Sequence, residues 1–177
     1  MKLIQEMSQV ELAAYVQSHL YQRGIEVILS GGASVAYYCF DRYVSMDIDL
    51  VNMYFASMDK LTEGMADLGF SEKGRYFIHP DTAFWVEFPP GPLSVGQEAV
   101  QQIDLVPLST GILRVISSTD CVKDRILAYV YWKDEQALVQ AKWVIEKQSI
   151  VWSELERWAK AEFDSEQWKD VFRRLAE

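Results

Sequence analysis

Basic residues, cysteines and histidines are scarce in this chain, and long apolar runs are missing. Lys and Arg number 17 against 26 Asp and Glu, a formal net charge of −9 over 177 residues. Binding along duplex DNA needs a basic footprint, so this balance argues against it. Any phosphate-bearing partner has to be recruited by metal and a few chosen cations. No run of about 18 apolar residues occurs, so no membrane span is expected. The opening Met1-Lys2-Leu3-Ile4-Gln5-Glu6 turns polar at once and does not read as a signal peptide. Cys39 and Cys121 lie far apart in apolar surroundings with no Cys or His at metal-ligand spacing. They read as reduced core residues of a cytoplasmic protein. The two histidines, His19 and His79, have no Ser or Cys partner that would suggest a catalytic triad. Repeats, low-complexity tracts and long linkers are also missing.

What is present is half apolar by composition, enough for a proper core in one domain or a domain with a helical extension. The densest information lies between residues 25 and 51. An apolar run ends in Leu29-Ser30-Gly31-Gly32-Ala33-Ser34, a helix-suited stretch follows to about Phe40, and a second apolar run contains Met46-Asp47-Ile48-Asp49-Leu50-Val51. Positions i and i+2 of a strand share a face. Asp47 and Asp49 therefore stand side by side, while Ile48 and Leu50 face a core. Two carboxylates that close repel unless a cation lies between them or one is protonated. Mg²⁺, or Mn²⁺ in its place, suits such a pair because it takes one or two carboxylates and shares substrate phosphates. Glycines at the start of a helix let backbone N–H groups approach a phosphate at its positive end. Gly31-Gly32 alone is a common turn and Asp-x-Asp alone a common solvent-facing edge. Their conjunction inside buried-looking strands points to a metal and nucleotide site.

The remaining pattern gives the architecture. Ser8 and Glu11 form a capping box that opens a helix ending near Gln22. Strands are expected over 25–29 and 46–51, with a helix over 58–68 stopped by Gly69. Short strands follow over 75–78, 83–88, 102–106 and 112–116, broken by the Pro89-Pro90-Gly91-Pro92 turn. Helices over 119–132, 135–147, 152–161 and 166–175 complete the chain, the first capped by Thr119. The fold class is α+β, a mixed sheet flanked by helices with a helical C-terminal third, and the order Gly31-Gly32, helix, Asp47-Ile48-Asp49 resembles the signature of the nucleotidyltransferase superfold. Residues 1–117 form the core unit and 118–177 the helical region packed on it. The aromatics of the last third suit a core at helical spacing, and less readily a base-stacking platform.

A third carboxylate usually completes such a site or acts as its base. Glu87 in Phe84-Trp85-Val86-Glu87-Phe88 and Asp104 in Gln102-Ile103-Asp104-Leu105-Val106 both interrupt apolar strands, and periodicity does not choose between them. Among the cations, Arg42 precedes the aspartate strand, and Lys123 and Arg125 lie in the first turns of a helix. Their spacing sets those two about 200° apart, so only one can face the site. Lys123 is assigned to the triphosphate and Arg125 to an acidic neighbour. Gly31, Gly32, Ser34, Arg42 and Ser45 are the other nucleotide-binding candidates, and Asp47, Asp49 and Glu87 the metal ligands.

These residues resemble the AbiEii-type nucleotidyltransferase family of bacterial abortive-infection and toxin–antitoxin pairs. The likeness lies in Leu29-Ser30-Gly31-Gly32-Ala33-Ser34 and in Arg42-Tyr43-Val44-Ser45-Met46-Asp47-Ile48-Asp49-Leu50, and more faintly in Asp120-Cys121-Val122-Lys123-Asp124-Arg125 with Tyr131-Trp132-Lys133-Asp134. The chain departs from the family in a short C-terminal third and in two residues, not one, between Arg42 and Ser45. The resemblance implies a metal-dependent transferase that takes an NTP and moves its nucleoside monophosphate to a hydroxyl acceptor. That acceptor is an RNA or tRNA end before a small molecule or protein, and a cognate antitoxin is the implied protein partner. A non-catalytic nucleotide-binding or protein-interaction module on the same fold is the competing class.

Overall fold

The alternation along Asp47-Ile48-Asp49-Leu50 divides the protein into a polar face and a core face, and the other strands line up with it. The computed structural model describes residues 2–39, 42, 43 and 45–176. After a 3-10 turn at Ile4–Glu6 the chain forms α1 (Gln9–Gln22), β1 (Val27–Ser30), α2 (Gly31–Tyr38), β2 (Asp47–Asn52) and α3 (Met58–Asp67). Next come β3 (Ser71–Lys73), β4 (Tyr76–Ile78) and β5 (Trp85–Glu87), a two-stranded hairpin of β6 (Ser94–Val95) and β7 (Glu98–Ala99), then β8 (Ile103–Leu108) and β9 (Gly111–Ile116). Four helices end the chain: α4 (Ser118–Trp132), α5 (Glu135–Lys147), α6 (Trp152–Glu162) and α7 (Ser165–Ala176).

Seven strands form one mixed sheet in the order β3-β4-β5-β2-β1-β9-β8. The β1–β9 and β2–β5 pairs are parallel and the rest antiparallel. This is the expected α+β arrangement with a helical C-terminal third. Ile48, Leu50 and Val86 are fully buried on the core face. Among the described residues no helix is long and apolar enough to cross a membrane.

Local chemistry sets the boundaries. Ser8 Oγ accepts from the Glu11 N–H, and the Glu11 carboxylate accepts from the Ser8 N–H at 2.8 Å, which is the expected box. β1 begins two residues later than expected because Ile25 N–H bonds back to Leu20 O and closes α1. The helix expected to reach Phe40 is assigned to Tyr38, with Cys39 as its cap; Phe40 and Val44 lie outside the described residues. α4 is capped by Ser117, not Thr119. Ser117 Oγ accepts from Asp120 N–H at 3.1 Å and donates to the Asp120 carboxylate at 2.9 Å, a reciprocal pair that Thr119 and Val122 cannot make. β3 escapes a hydrophobic pattern because all three of its residues are exposed. The β6–β7 hairpin, two residues a side, is too short to show any period.

Gln17 of α1 joins two strands of the sheet. Its side-chain amide donates to Val27 O at 3.0 Å and Arg114 O at 2.7 Å, and its carbonyl accepts from Arg114 N–H at 2.9 Å. The fully buried amide thus serves backbone groups of both β1 and β9. A Gln17→Leu substitution keeps the volume but strips those groups of their bonds, at about 1–3 kcal/mol for each buried orphan. The expected loss is about 3 kcal/mol or more, read as a lower urea midpoint with an unchanged slope.

Candidate active site

Cross-strand register builds the polar face from five strands. Lys73 pairs with Tyr76, Tyr76 with Glu87, Glu87 with Asp49 and Asp49 with Ser30, so one row runs from β3 to β1. Asp47 lies on the same face one pleat away, opposite Trp85. Asp47, Asp49 and Glu87 are thereby gathered at neighbouring positions of two parallel strands. Asp49 takes the strongest effect. Burial first, then the charges of Glu87, Asp47 and Asp124, push its carboxyl up to about 6, with Arg125 opposing. Asp104 is not part of this group. It lies on β8, three strands from β2 and so about 14 Å away laterally. Its carboxylate accepts from the Tyr38 hydroxyl at 3.0 Å.

The glycine pair meets this row. Gly31 stands at φ +63°, and a Cβ there would collide with the Asp49 carboxylate. Only glycine permits both that backbone and that approach. α2 starts at this point, and its N-cap, Ser30, makes no side-chain capping bond. By contrast α1, α3, α4 and α5 are capped by Ser8, Ser57, Ser117 and Asp134. The first N–H groups of α2 are therefore left for an anion beside the carboxylates.

A cleft of about 600 Å³ opens there, lined by Ser30, Gly31 and Asp49 on one side and by Asp124, Arg125 and Trp132 of α4 on another. The Pro89-to-Val95 segment supplies its remaining wall. The turn that ends β5 is thus a cleft wall, tied to β2 by the Asn52 N–H to Pro89 O bond of 3.0 Å. Arg125 Nε donates to the Asp124 carboxylate at 2.9 Å and Nη1 to Gln140 at 3.3 Å. Burial disfavours its charge, but Asp124 outweighs burial and keeps the guanidinium firmly protonated.

Several sequence candidates land elsewhere. Lys123, only 1% exposed, points away from the cleft lining into Asp120 at 2.9 Å, Glu154 at 2.5 Å and Glu98 at 3.7 Å. Its assignment to a phosphate is corrected to a structural one, because the roughly 200° offset between the two cations leaves Arg125 in the cleft. Ser34 is fully buried; its hydroxyl donates to Gly31 O at 2.7 Å and touches Cys121 Sγ at 3.2 Å, so it holds the helix start from inside. Arg42 pairs with Glu146 of α5 and does not line the cleft. Ser45 lies beside Gly32, accepts from Asp47 N–H at 3.3 Å, and orders the entry to β2. Asp134 caps α5. Trp158, Phe163 and Tyr129 belong to the core, whereas Trp132 is 81% exposed on the cleft rim.

Sequence reasoning missed Arg75, which reaches from the β3–β4 turn to within 3.4 Å of Glu87. No periodicity flags a turn residue. Arg125 was seen but given the other role, although its pairing with an acidic neighbour is found. Among the described residues no three His, Cys, Asp or Glu side chains already converge as a closed metal cluster. The carboxylate row, all oxygen donors with charge uncompensated enough to lift Asp49, is the donor chemistry that a hard divalent cation requires.

No protein-family model matches this sequence, and no curated protein matches it. Solved structures do. The solution structure of the antibiotic-resistance factor ANT(2'')-Ia aligns with a TM-score of 0.54 at 14% identity, covering 86% of this chain and 90% of that one. The crystal structure of ANT(2'')-Ia in complex with adenylyl-2''-tobramycin gives 0.56 at 14% identity, over 86% and 95%. The chain shares the fold of these structures, and the likeness holds at that level.

Asp49 makes the charge strain measurable. Its folded pKa near 6 exceeds the unfolded value near 3.9, so the folded state binds the extra proton between those limits. Stability therefore falls as pH rises from about 4 to 6 and stays lowered above. Asp49→Asn is expected to gain about 1–2 kcal/mol at pH 7 without metal, and to lose that advantage below about pH 4, as thermal melts across pH will show.

Proposed function

We propose that this protein transfers a nucleoside monophosphate from an NTP to a hydroxyl acceptor. The observation that carries this reading is the row Asp47, Asp49 and Glu87, whose Asp49 faces, beside an uncapped, glycine-opened helix start, the cleft that also holds Arg125. The N–H groups of Gly31 and Gly32 bind phosphate oxygens. Arg125 takes the charge that develops on the leaving pyrophosphate, the part first given to Lys123. Trp132 offers the base a face at the rim. Asp47, Asp49 and Glu87 would hold Mg²⁺ or Mn²⁺, which when bound neutralises the triphosphate and lowers the pKa of the attacking hydroxyl. The acceptor oxygen attacks the α-phosphorus, the α–β anhydride bond breaks, pyrophosphate leaves, and Glu87 accepts the hydroxyl proton. In this reading residues 1–117 carry the carboxylates and glycine turn, and residues 118–177 supply the cation and the opposite wall.

The AbiEii-like run from Leu29 to Leu50 favours an RNA or tRNA end as acceptor, and a cytoplasmic toxin paired with an antitoxin. Incubation with each labelled NTP, Mg²⁺ and total RNA is expected to label a discrete species with release of pyrophosphate, and Asp47→Ala is expected to label nothing. Arg125→Gln is expected to raise KM for the NTP by roughly 10-fold or more, the weight of a charge-assisted contact. NTP-dependent stabilisation without labelling of any RNA, protein or small hydroxyl compound would replace transfer by nucleotide binding alone.

A further inference from the structure

The carboxylate row does not stop at Glu87. On the same face it continues outward through Tyr76 to Lys73, while Trp85 flanks Asp47. A second cavity, about 420 Å³, lies over this part of the sheet, lined by Lys73, Tyr76, Ile78, His79, Thr82 and Trp85. It is distinct from the Arg125 cleft, and the carboxylates lie between the two. An NTP in the first cleft therefore leaves the second for whatever brings the hydroxyl. We infer that the Tyr76–Trp85 face is the acceptor subsite, and that it takes the terminal nucleotide of a single-stranded polynucleotide. This rests on the transfer reading above.

Two features select that acceptor. Trp85 is 43% exposed, and its ring lies 5.5 Å from that of Tyr76 at an interplanar angle of 50°. These rings make an open aromatic surface one to two strand spacings, about 5–10 Å, from the Asp47 and Asp49 strand. Planar bases stack on such surfaces whatever their sequence. The second feature is charge. In a chain of net charge −9, this rim carries Lys73 and Arg75, both exposed. Arg75 donates to the Tyr76 hydroxyl at 2.6 Å and lies 3.4 Å from Glu87. Glu72, just before Lys73 in sequence, pairs with Phe77 on the opposite face and is reached by the Thr62 hydroxyl. Arg75 is engaged with Glu87, so Lys73, two strands farther out on the edge, is the cation this rim offers to a phosphate chain. β3 is also the sheet's outer edge, so a strand seated on the platform can run on into solvent.

The test uses the full chain without metal or NTP and an eight-nucleotide single-stranded RNA. The oligonucleotide is expected to quench tryptophan fluorescence, and Trp85→Leu to remove the quench and weaken binding about 10-fold or more. Lys73→Gln is expected to keep the quench but lower the salt slope of binding by about 0.7, one phosphate contact. Stabilisation by Mg²⁺ with NTP is expected to be unchanged in Lys73→Gln. Affinity and salt slope unmoved by both substitutions, or tobramycin displacing the oligonucleotide from Trp85, would overturn the inference. Oligonucleotide bound through Trp85 but no pyrophosphate released once Mg²⁺ and NTP are added to the same complex would instead overturn nucleotidyl transfer and leave the platform standing.

Discussion

Asp49 stands between Glu87 across the strand pair and Asp47 two residues back, and the neighbourhood is arranged around that repulsion. The carboxylates cannot separate, because Ile48, Leu50 and Val86 between them are locked into the core and the pleat then dictates where the charges go. They cannot neutralise one another. What relieves them is distributed: a proton held on Asp49 up to about pH 6, the Arg125 charge across the cleft, and Arg75 at the outer edge of Glu87. Packing thus holds a charge excess in place, and a divalent cation with a triphosphate is the ligand pair that would balance it.

Glycine and proline shape the space where that ligand would lie. Gly31 allows the turn from β1 to press against Asp49 and leaves the start of α2 uncapped. The proline segment after β5 cannot extend the ladder, so it swings out and walls the cleft. The wall is braced from behind. Glu98 of the β6–β7 hairpin is held by Arg157 of α6 at 2.7 Å, and Lys123 joins Glu98 and Glu154 to α4. Burial pulls the Lys123 ammonium down, but its bonds to Asp120 and Glu154 outweigh burial and hold it above its ordinary value. A buried lysine with three carboxylate neighbours is a fastener between elements, and losing it would leave those acids unpaired.

Much of the fold was legible before any coordinates, for definite reasons. The Ser8–Glu11 box, the amphipathic run of α3 and the four terminal helices follow from short-range spacing and local capping. Asp47 and Asp49 on one face follow from the two-residue period of a strand. Legibility failed where the deciding contact is distant. Short-range spacing points to Thr119 as the cap of α4, yet the cap is Ser117, which Asp120 answers. Ser34 looked like a phosphate ligand, yet packing against Cys121 turns its hydroxyl inward. β3, wholly polar, shows no apolar period at all.

By itself the sequence determined which residues carry charge inside apolar strands, where glycine permits a left-handed turn, and that Lys123 and Arg125 face opposite ways. Those are properties of spacing and of single side chains. Tertiary structure decided the choices that spacing leaves equal. Strand order put Glu87 next to Asp49 and Asp104 three strands away, although both interrupt similar apolar runs. The rotation of α4 about its axis sent Arg125 to the cleft and Lys123 to the core. The β3–β4–β5 meander carried Arg75, Tyr76 and Trp85 to the edge of the carboxylate row. The reason is common to all three: sheet register and helix rotation are set by long-range burial, to which isolated charged residues contribute little energy, so their own neighbourhoods do not encode where they arrive.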